Sequence, residues 1–350
     1  MRRPRLTPLG RRRWENFRSN RRGWWSLWIF LALFCFSMGA ELWANDKPLL
    51  VRFDGEFFTP FMAVYPETAF GGEFPTEADY RDPYVAELID AHGWMLWPPV
   101  HYSYDTINWE LAAAAPAPPS GENWLGTDDQ GRDITARLIY GMRISILFGL
   151  ALTVFSSLVG VAAGALQGYY GGRVDMFGQR FIEVWSGLPV LFLLIILASF
   201  VEPNFWWLLG IMLLFSWMSL VDVVRAEFLR GRNLEYVRAA KALGLSDAAI
   251  MVRHVLPNAM VATVTFLPFI LNGSITTLTS LDFLGFGLPP GSPSLGELLA
   301  QGKANLQAPW IGISAFLVLA VMLSLLVFIG EAARDALDPR TSSGPGGGGD

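Results

Sequence analysis

The 350-residue chain has one cysteine and three histidines, and 16% of its residues carry charge. Cys35 alone excludes an intrachain disulfide, so any segment outside a membrane must be held by packing. His92, His101 and His254 are far apart and have no second cysteine to join, which excludes a metal site of defined ligand spacing. Neither a metal nor a cofactor is expected in this chain. An ordinary soluble domain carries about 25% charged residues, so the shortfall argues against a soluble protein. No cluster of His, Cys or carboxylate side chains points to a membrane-bound enzyme, and no catalytic residue is expected.

The chain does have long apolar runs. Hydrophobic residues make up 52% of it and mean hydropathy is +0.36. Six runs are long enough to cross a bilayer core of about 30 Å. They are Trp24–Trp43, Ile144–Gly168, Phe181–Val201, Phe205–Val224, Ala259–Leu281 and Ile311–Ile329. Trp24, Trp25, Trp28 and Trp43 sit near the ends of the first, as in an aromatic belt. A signal peptide is the alternative for that run, but it is long for one and no clean small-x-small cleavage site follows. The pattern predicts an all-α polytopic membrane protein with six transmembrane helices.

Charge is asymmetric. The first 22 residues hold nine arginines and one acid, Glu15, whereas Ala44 to Asp133 holds sixteen acids and four bases. The positive-inside rule therefore puts the basic start inside and the acidic segment outside. Arg173 and Arg180, Arg225 to Arg253, and Arg334 and Arg340 also fall inside; Arg137 and Arg143 fall outside and break the rule mildly. A nucleic-acid arm is the rival reading of the basic start, and its adjacency to an apolar span argues against it. The resulting division is a basic arm (1–23), helix 1 (24–43), an outer segment (44–140), a core with helices 2–6 (141–335) containing an inner loop (228–257), and a flexible tail (336–350).

Several local features invite chemistry and read better as structure. Gly160, Gly164 and Gly168 recur every four residues and share a helix face suited to close packing. Gly187 and Pro189 mark either a gate or a kink. Asp222 and Arg225, at i and i+3, are placed to pair; a proton relay is the other reading. Asp128 and Asp129 are adjacent and do not face each other on a helix, so a capped loop is favoured over a catalytic pair. AAAAPAPPS (112–120) reads as an extended linker, and the fold of the outer segment is left unassigned. Two glycine-rich fragments are decoys. Gly285 to Gly291 has one residue too many for a dinucleotide fingerprint, and Gly296 to Lys303 has five residues between its glycines where a phosphate-binding loop needs four.

The inner loop EYVRAAKALGLSDAAIMVRHVLP (235–257) reads as helix, elbow, helix. Tyr236, Ala239 or Ala240, and Leu243 are spaced for one side of the first helix. Gly244 suits a left-handed C-terminal cap. Ser246 suits the next N-cap, with Leu245 and Ile250 as a hydrophobic staple. Pro257 is expected to end the second helix. Ala239, Ala240, Gly244, Leu256 and Pro257 match in register the coupling-loop pattern of ABC-importer permeases, which runs Glu-Ala-Ala, three residues, Gly, nine residues, Ile-x-Leu-Pro. Arg238 and His254 depart from it as in the peptide-importing branch. NWLGTDDQGRDITARLIYGMRISI (123–146) and the loop after the fifth run resemble dipeptide and oligopeptide permeases. ANDKPLLVRFDG resembles the Yej type, and the whole is closest to the second permease of that oligopeptide and microcin C system.

The resemblance covers about two thirds of the chain. It implies a type I ABC-importer permease of the bacterial inner membrane, with both termini cytoplasmic and residues 44–140 periplasmic. It also implies a homologous permease as heterodimer partner, two cytosolic ATPases that bind ATP and Mg²⁺, and a periplasmic peptide-binding protein. Glu235, Tyr236, Arg238, Ala239, Ala240, Leu243, Gly244, Leu256 and Pro257 become the residues that couple to the ATPase, with a contact patch centred on Ala239, Ala240 and Gly244. The alternative is a secondary transporter acting alone, against which stand the scarce mid-span acids and the lack of an internal repeat.

Overall fold

The computed structural model describes residues 8–198, 200–201 and 203–337. Glu202 and the stretch 338–350, which includes most of the expected tail, lie outside the described residues. In chain order the helices are α1 (Pro8–Ser19), α2 (Arg21–Met38), α3 (Ala40–Trp43), α4 (Pro83–His92), α5 (Ile134–Tyr170), α6 (Gly172–Ser186), α7 (Val190–Ala198), α8 (Phe205–Ser216), α9 (Met218–Gly231), α10 (Glu235–Ala242), α11 (Asp247–Ile250), α12 (Leu256–Phe283), α13 (Leu295–Ala304) and α14 (Pro309–Leu337). Among the described residues, three short strands join them: β1 (Leu50–Phe53), β2 (Glu56–Phe58) and β3 (Gly93–Leu96).

Among the described residues, four helical stretches are long and apolar enough to cross a membrane: Ile134–Tyr170, Phe205–Gly231, Asp247–Phe283 and Pro309–Leu337. Gly172–Ser186 and Val190–Leu197 make a fifth if taken as one span bent by 65°. The break falls at Gly187–Leu188–Pro189, where proline supplies no backbone N–H. The structure has a bend at the position where the sequence offers a gate or a kink. The expected first span, 24–43, is divided between α2 and α3 at Gly39, and α2 carries Arg21 and Arg22 in its first turn.

The chain forms two compact units. Among the described residues, the first comprises those within 8–31, 147–278 and 321–337; the second comprises 32–146 and 279–320. In the first, α5 lies against α9 through its glycines. A Cβ on Gly160 would stand 2.4 Å from the Trp217 carbonyl oxygen, one on Gly164 2.7 Å from that of Val221, and one on Gly168 2.5 Å from that of Arg225. The four-residue pitch therefore exists on both helices, and any side chain on the α5 face would push α9 away. Asp222 and Arg225 do not pair. Arg225 donates to Asp175 of α6, with Nη2 2.7 Å from Oδ2, while Asp222 accepts from Gln179 at 3.3 Å. The α6–α9 contact offers Arg225 a bidentate partner, and that displaces the i, i+3 pair.

The second unit answers the question of the outer segment. It is not wholly helical: β2, β1 and β3 form an antiparallel sheet in that order, with Val51 opposite both Phe58 and Met95. Val51, Phe70, Ala78, Tyr80, Val85 and Ile89 form its core. Asp82 caps α4 by accepting from Tyr84 N at 2.8 Å, with Pro83 in the first turn. AAAAPAPPS is pinned: Thr127 N donates to the Ala117 carbonyl, and Thr127 Oγ1 accepts from Ala117 N, both at 2.9 Å.

Buried polar groups hold the rest of this unit. Asp133 caps α5 by accepting from Ala136 N at 2.8 Å, and also accepts from Asn123 Nδ2 at 2.8 Å. Burial pushes its carboxyl above the ordinary carboxylate value, and these hydrogen bonds oppose the rise. Asp128 is fully buried beside Arg132, whose Nε donates to it at 2.7 Å. Arg137 Nη2 donates to Glu297 of α13 at 2.9 Å, and Arg132 Nη2 to the same carboxylate at 3.2 Å. Arg143 donates to Glu41 at 2.7 Å. Arg137 and Arg143, the mild exceptions to the charge rule, are thus neutralised by local carboxylates. The decoy Gly296–Lys303 lies inside α13.

Candidate coupling site

The loop 235–257 folds as helix, elbow, helix. Gly244 has φ +83°, a conformation that side chains with a Cβ resist. Leu245 N donates to the Ala240 carbonyl at 3.2 Å and Gly244 N to that of Lys241 at 3.0 Å. These are the paired bonds of a Schellman cap. Ser246 Oγ accepts from Ala249 N at 3.4 Å, and Leu245 packs against the core that contains Ile250.

That core also holds Tyr169, Val224, Phe228, Val237, Ala240, Val255 and Ala259. It fixes which way α10 faces, and it corrects the expected stripe. Val237 and Ala240 turn inward, and Ala240 is 6% exposed. Ala240 therefore packs on its own chain and is no part of an outward contact patch. Leu243 is 81% exposed. Glu235, Tyr236, Arg238, Ala239 and Gly244 are also exposed. Val237 was missed; its three-residue spacing from Ala240 was the available signal.

Pro257 does not end a helix. The stretch Asp247–Phe283 is continuous, and the turn Met251–Val255 is a π-helix in which Leu256 N donates to the Met251 carbonyl. A proline ring clashes with the carbonyl four residues back in an α-helix; the wider turn just before it relieves that clash. Leu256 is partly buried and Pro257 exposed. The Tyr236 hydroxyl donates to the His254 carbonyl at 3.3 Å and accepts from Asn258 Nδ2 at 3.1 Å. Beside it lies a cavity of about 230 Å³ lined by Glu227, Arg230, Leu234, Val255 and Ala259 among others. On the other side, Tyr169 Oη donates to Asp247 at 2.7 Å, and Arg232 Nη1 to the Tyr169 carbonyl at 3.1 Å. The loop is therefore tied to the ends of α5, α9 and α12, while one side of α10 stays open.

Residues 156–343 match the family described as binding-protein-dependent transport system inner membrane component. The chain belongs to that family. It is accordingly an inner-membrane, multi-pass component of a transport system. It is 65% identical over 96% of its length to the inner membrane ABC transporter permease protein YejE of Escherichia coli (strain K12), of which it covers 98%. It is 59% identical over 97% of its length to the peptidoglycan transport system permease protein YejE of Agrobacterium fabrum, of which it covers 95%. The oligopeptide transport system permease protein OppC of Haemophilus influenzae is 34% identical over 68% of this chain and 77% of its own. The family match begins within α5 and leaves the sheet-bearing segment 44–133 outside it.

Proposed function

We propose that the chain is the membrane permease of an ATP-driven importer of peptides, peptides of cell-wall origin included. The observation that carries the reading is an inward-anchored α10 with an open side, in a member of a family described as binding-protein-dependent. Partner ATPases supply ATP and Mg²⁺ chemistry; a homologous permease completes the path, and a periplasmic binding protein delivers substrate. Six spans, α2 being the first and the bent α6–α7 pair the third, put both termini in the cytoplasm.

Nucleotide-driven closure of the ATPases presses on the open side of α10. The core around Val237 and Ala240 passes the force to α5, α9 and α12, and the spans rock between outward- and inward-open states. This chain contributes positioning and a path, and hydrolysis belongs to its partners.

A strain lacking this subunit, with rival peptide importers deleted, loses uptake of short peptides and of muropeptides. Unchanged peptide uptake beside a lost sugar or metal overturns the substrate class. Purification in mild detergent recovers ATPase subunits; their absence, with transport retained, favours a secondary transporter. Reporters fused after Asn20, Gly172 and Gly231 read cytoplasmic, and those near Glu73 and Ser292 read periplasmic.

A further inference from the structure

Within the basic start of the chain, Pro8–Ser19 is a helix with a second, aromatic side. Between Pro8 and Arg22 stand six arginines and one acid, Glu15, and Glu15 accepts from Arg11 at 2.9 Å. Trp14 and Phe17, three residues apart, share a face and stack at 6.1 Å. That aromatic side continues into α2. Trp14 meets Trp24 edge-on at 5.6 Å, and Trp24 meets Trp28 at 5.6 Å. Arg18 lies 5.8 Å from the centre of the Trp24 ring, its charge beside the strip. Trp14 and Trp28 are each half exposed.

The connection is short. Asn20 alone separates α1 from α2, and its Oδ1 accepts from Gly23 N at 3.2 Å. The arginine-rich helix is therefore held within one residue of the apolar helix, with a continuous aromatic strip running across both. A basic helix with aromatic side chains on one side partitions into the headgroup layer, rings toward the acyl boundary and guanidinium groups toward phosphate. A nucleic acid would match the charge but would leave the strip unexplained.

We propose that α1 lies in the headgroup layer and binds anionic phospholipid, with Arg12, Arg13 and Arg18 engaging lipid phosphates. The proposal rests on α2 being embedded in the membrane. It gives the arm a ligand class, the phosphatidylglycerol type of headgroup, and a role as an anchor for the first helix.

The test is backbone hydrogen exchange on the full chain in its assembled permease complex. Nanodiscs of phosphatidylcholine alone are compared with nanodiscs that contain an equal part of phosphatidylglycerol. The expected result is slow exchange across α2 in both, and exchange across Pro8–Ser19 slowed many-fold when phosphatidylglycerol is present. In Arg12→Gln/Arg13→Gln/Arg18→Gln, which keeps Arg21 and Arg22 at the membrane boundary, each lost arginine removes roughly fivefold of that preference. Equal exchange of α1 in the two bilayers overturns the proposal without a variant. Protection of α1 by added RNA in the phosphatidylcholine discs, with none from phosphatidylglycerol, also overturns it. Rapid exchange of α2 in both discs defeats the membrane placement beneath it, a failure distinct from the first.

Discussion

Arg137 is fully buried and donates to the Glu297 carboxylate at 2.9 Å, across 160 residues of sequence. The contact joins the first turn of α5 to α13 and places a charge where water cannot solvate it. Asp128, also fully buried, lies 3.5 Å from Arg137 Nε. Arg137→Met leaves Asp128 with Arg132 and removes the shorter of the two arginine ties to Glu297 of α13, the other being Arg132 at 3.2 Å. Breaking such a pair costs about 3–5 kcal/mol. Thermal unfolding of the detergent-purified subunit will show a marked loss for Arg137→Met. If the melting temperature is unchanged, the network does not hold this unit together.

The close approach of α5 and α9 makes a second prediction. A methyl at Gly164 would stand 2.7 Å from the Val221 carbonyl oxygen, whereas one at Gly210 meets nothing within 4 Å. Overpacking of this kind costs roughly 1–3 kcal/mol. Gly164→Ala should lower the amount of subunit in the membrane and its melting temperature, and Gly164→Leu should do so further. Gly210→Ala is the control. Equal behaviour of the two alanine variants would mean that the helices are not set by the glycines.

For the coupling loop, burial separates two variants that the sequence treats alike. Ala240→Asp puts a charge into the core around Val237 and Phe228, so it should lower both stability and transport. Leu243→Asp alters an open position, so it should leave the stability within about 0.5 kcal/mol of the parent. Transport should still fail, with ATP hydrolysis no longer stimulated by loaded binding protein. Full transport by Leu243→Asp removes the open side of α10 from the docking surface. A Cβ at Gly244 meets nothing within 4 Å, so the effect of Gly244→Ala on stability is conformational, about 1 kcal/mol or more.

Tyr236 bridges α10 to the π-turn and the start of α12. Tyr236→Phe keeps the ring and removes one donor and one acceptor, worth about 1 kcal/mol. The expected signature is reduced transport per ATP hydrolysed, with little change in expression. A variant that transports and hydrolyses in the parental ratio would show that the bridge carries no force.

The second unit should also respond to acid. Burial, then the Arg81 charge, lower the His101 pKa below its ordinary 6.5. The folded state therefore binds the proton less readily than the unfolded state. Stability is complete above pH 6.5, falls as pH drops below it, and levels once the folded-state value is passed. His101→Gln should flatten that part of a melting profile taken on the full chain. A parental slope in His101→Gln assigns the effect to another group.

How much of this was legible in the sequence depended on the range of the interaction. Gly244, Ser246 and Leu245 were readable because a cap is decided within six residues. The glycines of α5 were readable because their pitch of four is a local pattern. The partner of Arg225 was not, since nothing in the sequence says that α6 passes α9 with Asp175 forward. The inward turn of Ala240 was hidden for a similar reason: Tyr236–Leu243 and Val237–Ala240 are both plausible helix faces, and only the core beneath chooses. Pro257 misled because a wider turn upstream absorbs a defect that usually stops a helix. The sheet of the outer segment was obscured by strands of three or four residues, too short for alternation to stand out.

The contact between α5 and α9 is periodic on both sides, glycines on one helix facing Trp217, Val221 and Arg225 on the other. A slip of four residues, about 6 Å, would set Gly164 against Trp217 and Gly168 against Val221, so two of the three close approaches would survive. The rail thus sets the separation of the helices and leaves their sliding position nearly degenerate. That position falls to contacts that do not repeat: Arg225 on Asp175, and Arg232 on the Tyr169 carbonyl. Both lie at the same end of the pair as the loop 235–257, so a force applied to that loop would act where the register of the two helices is locked.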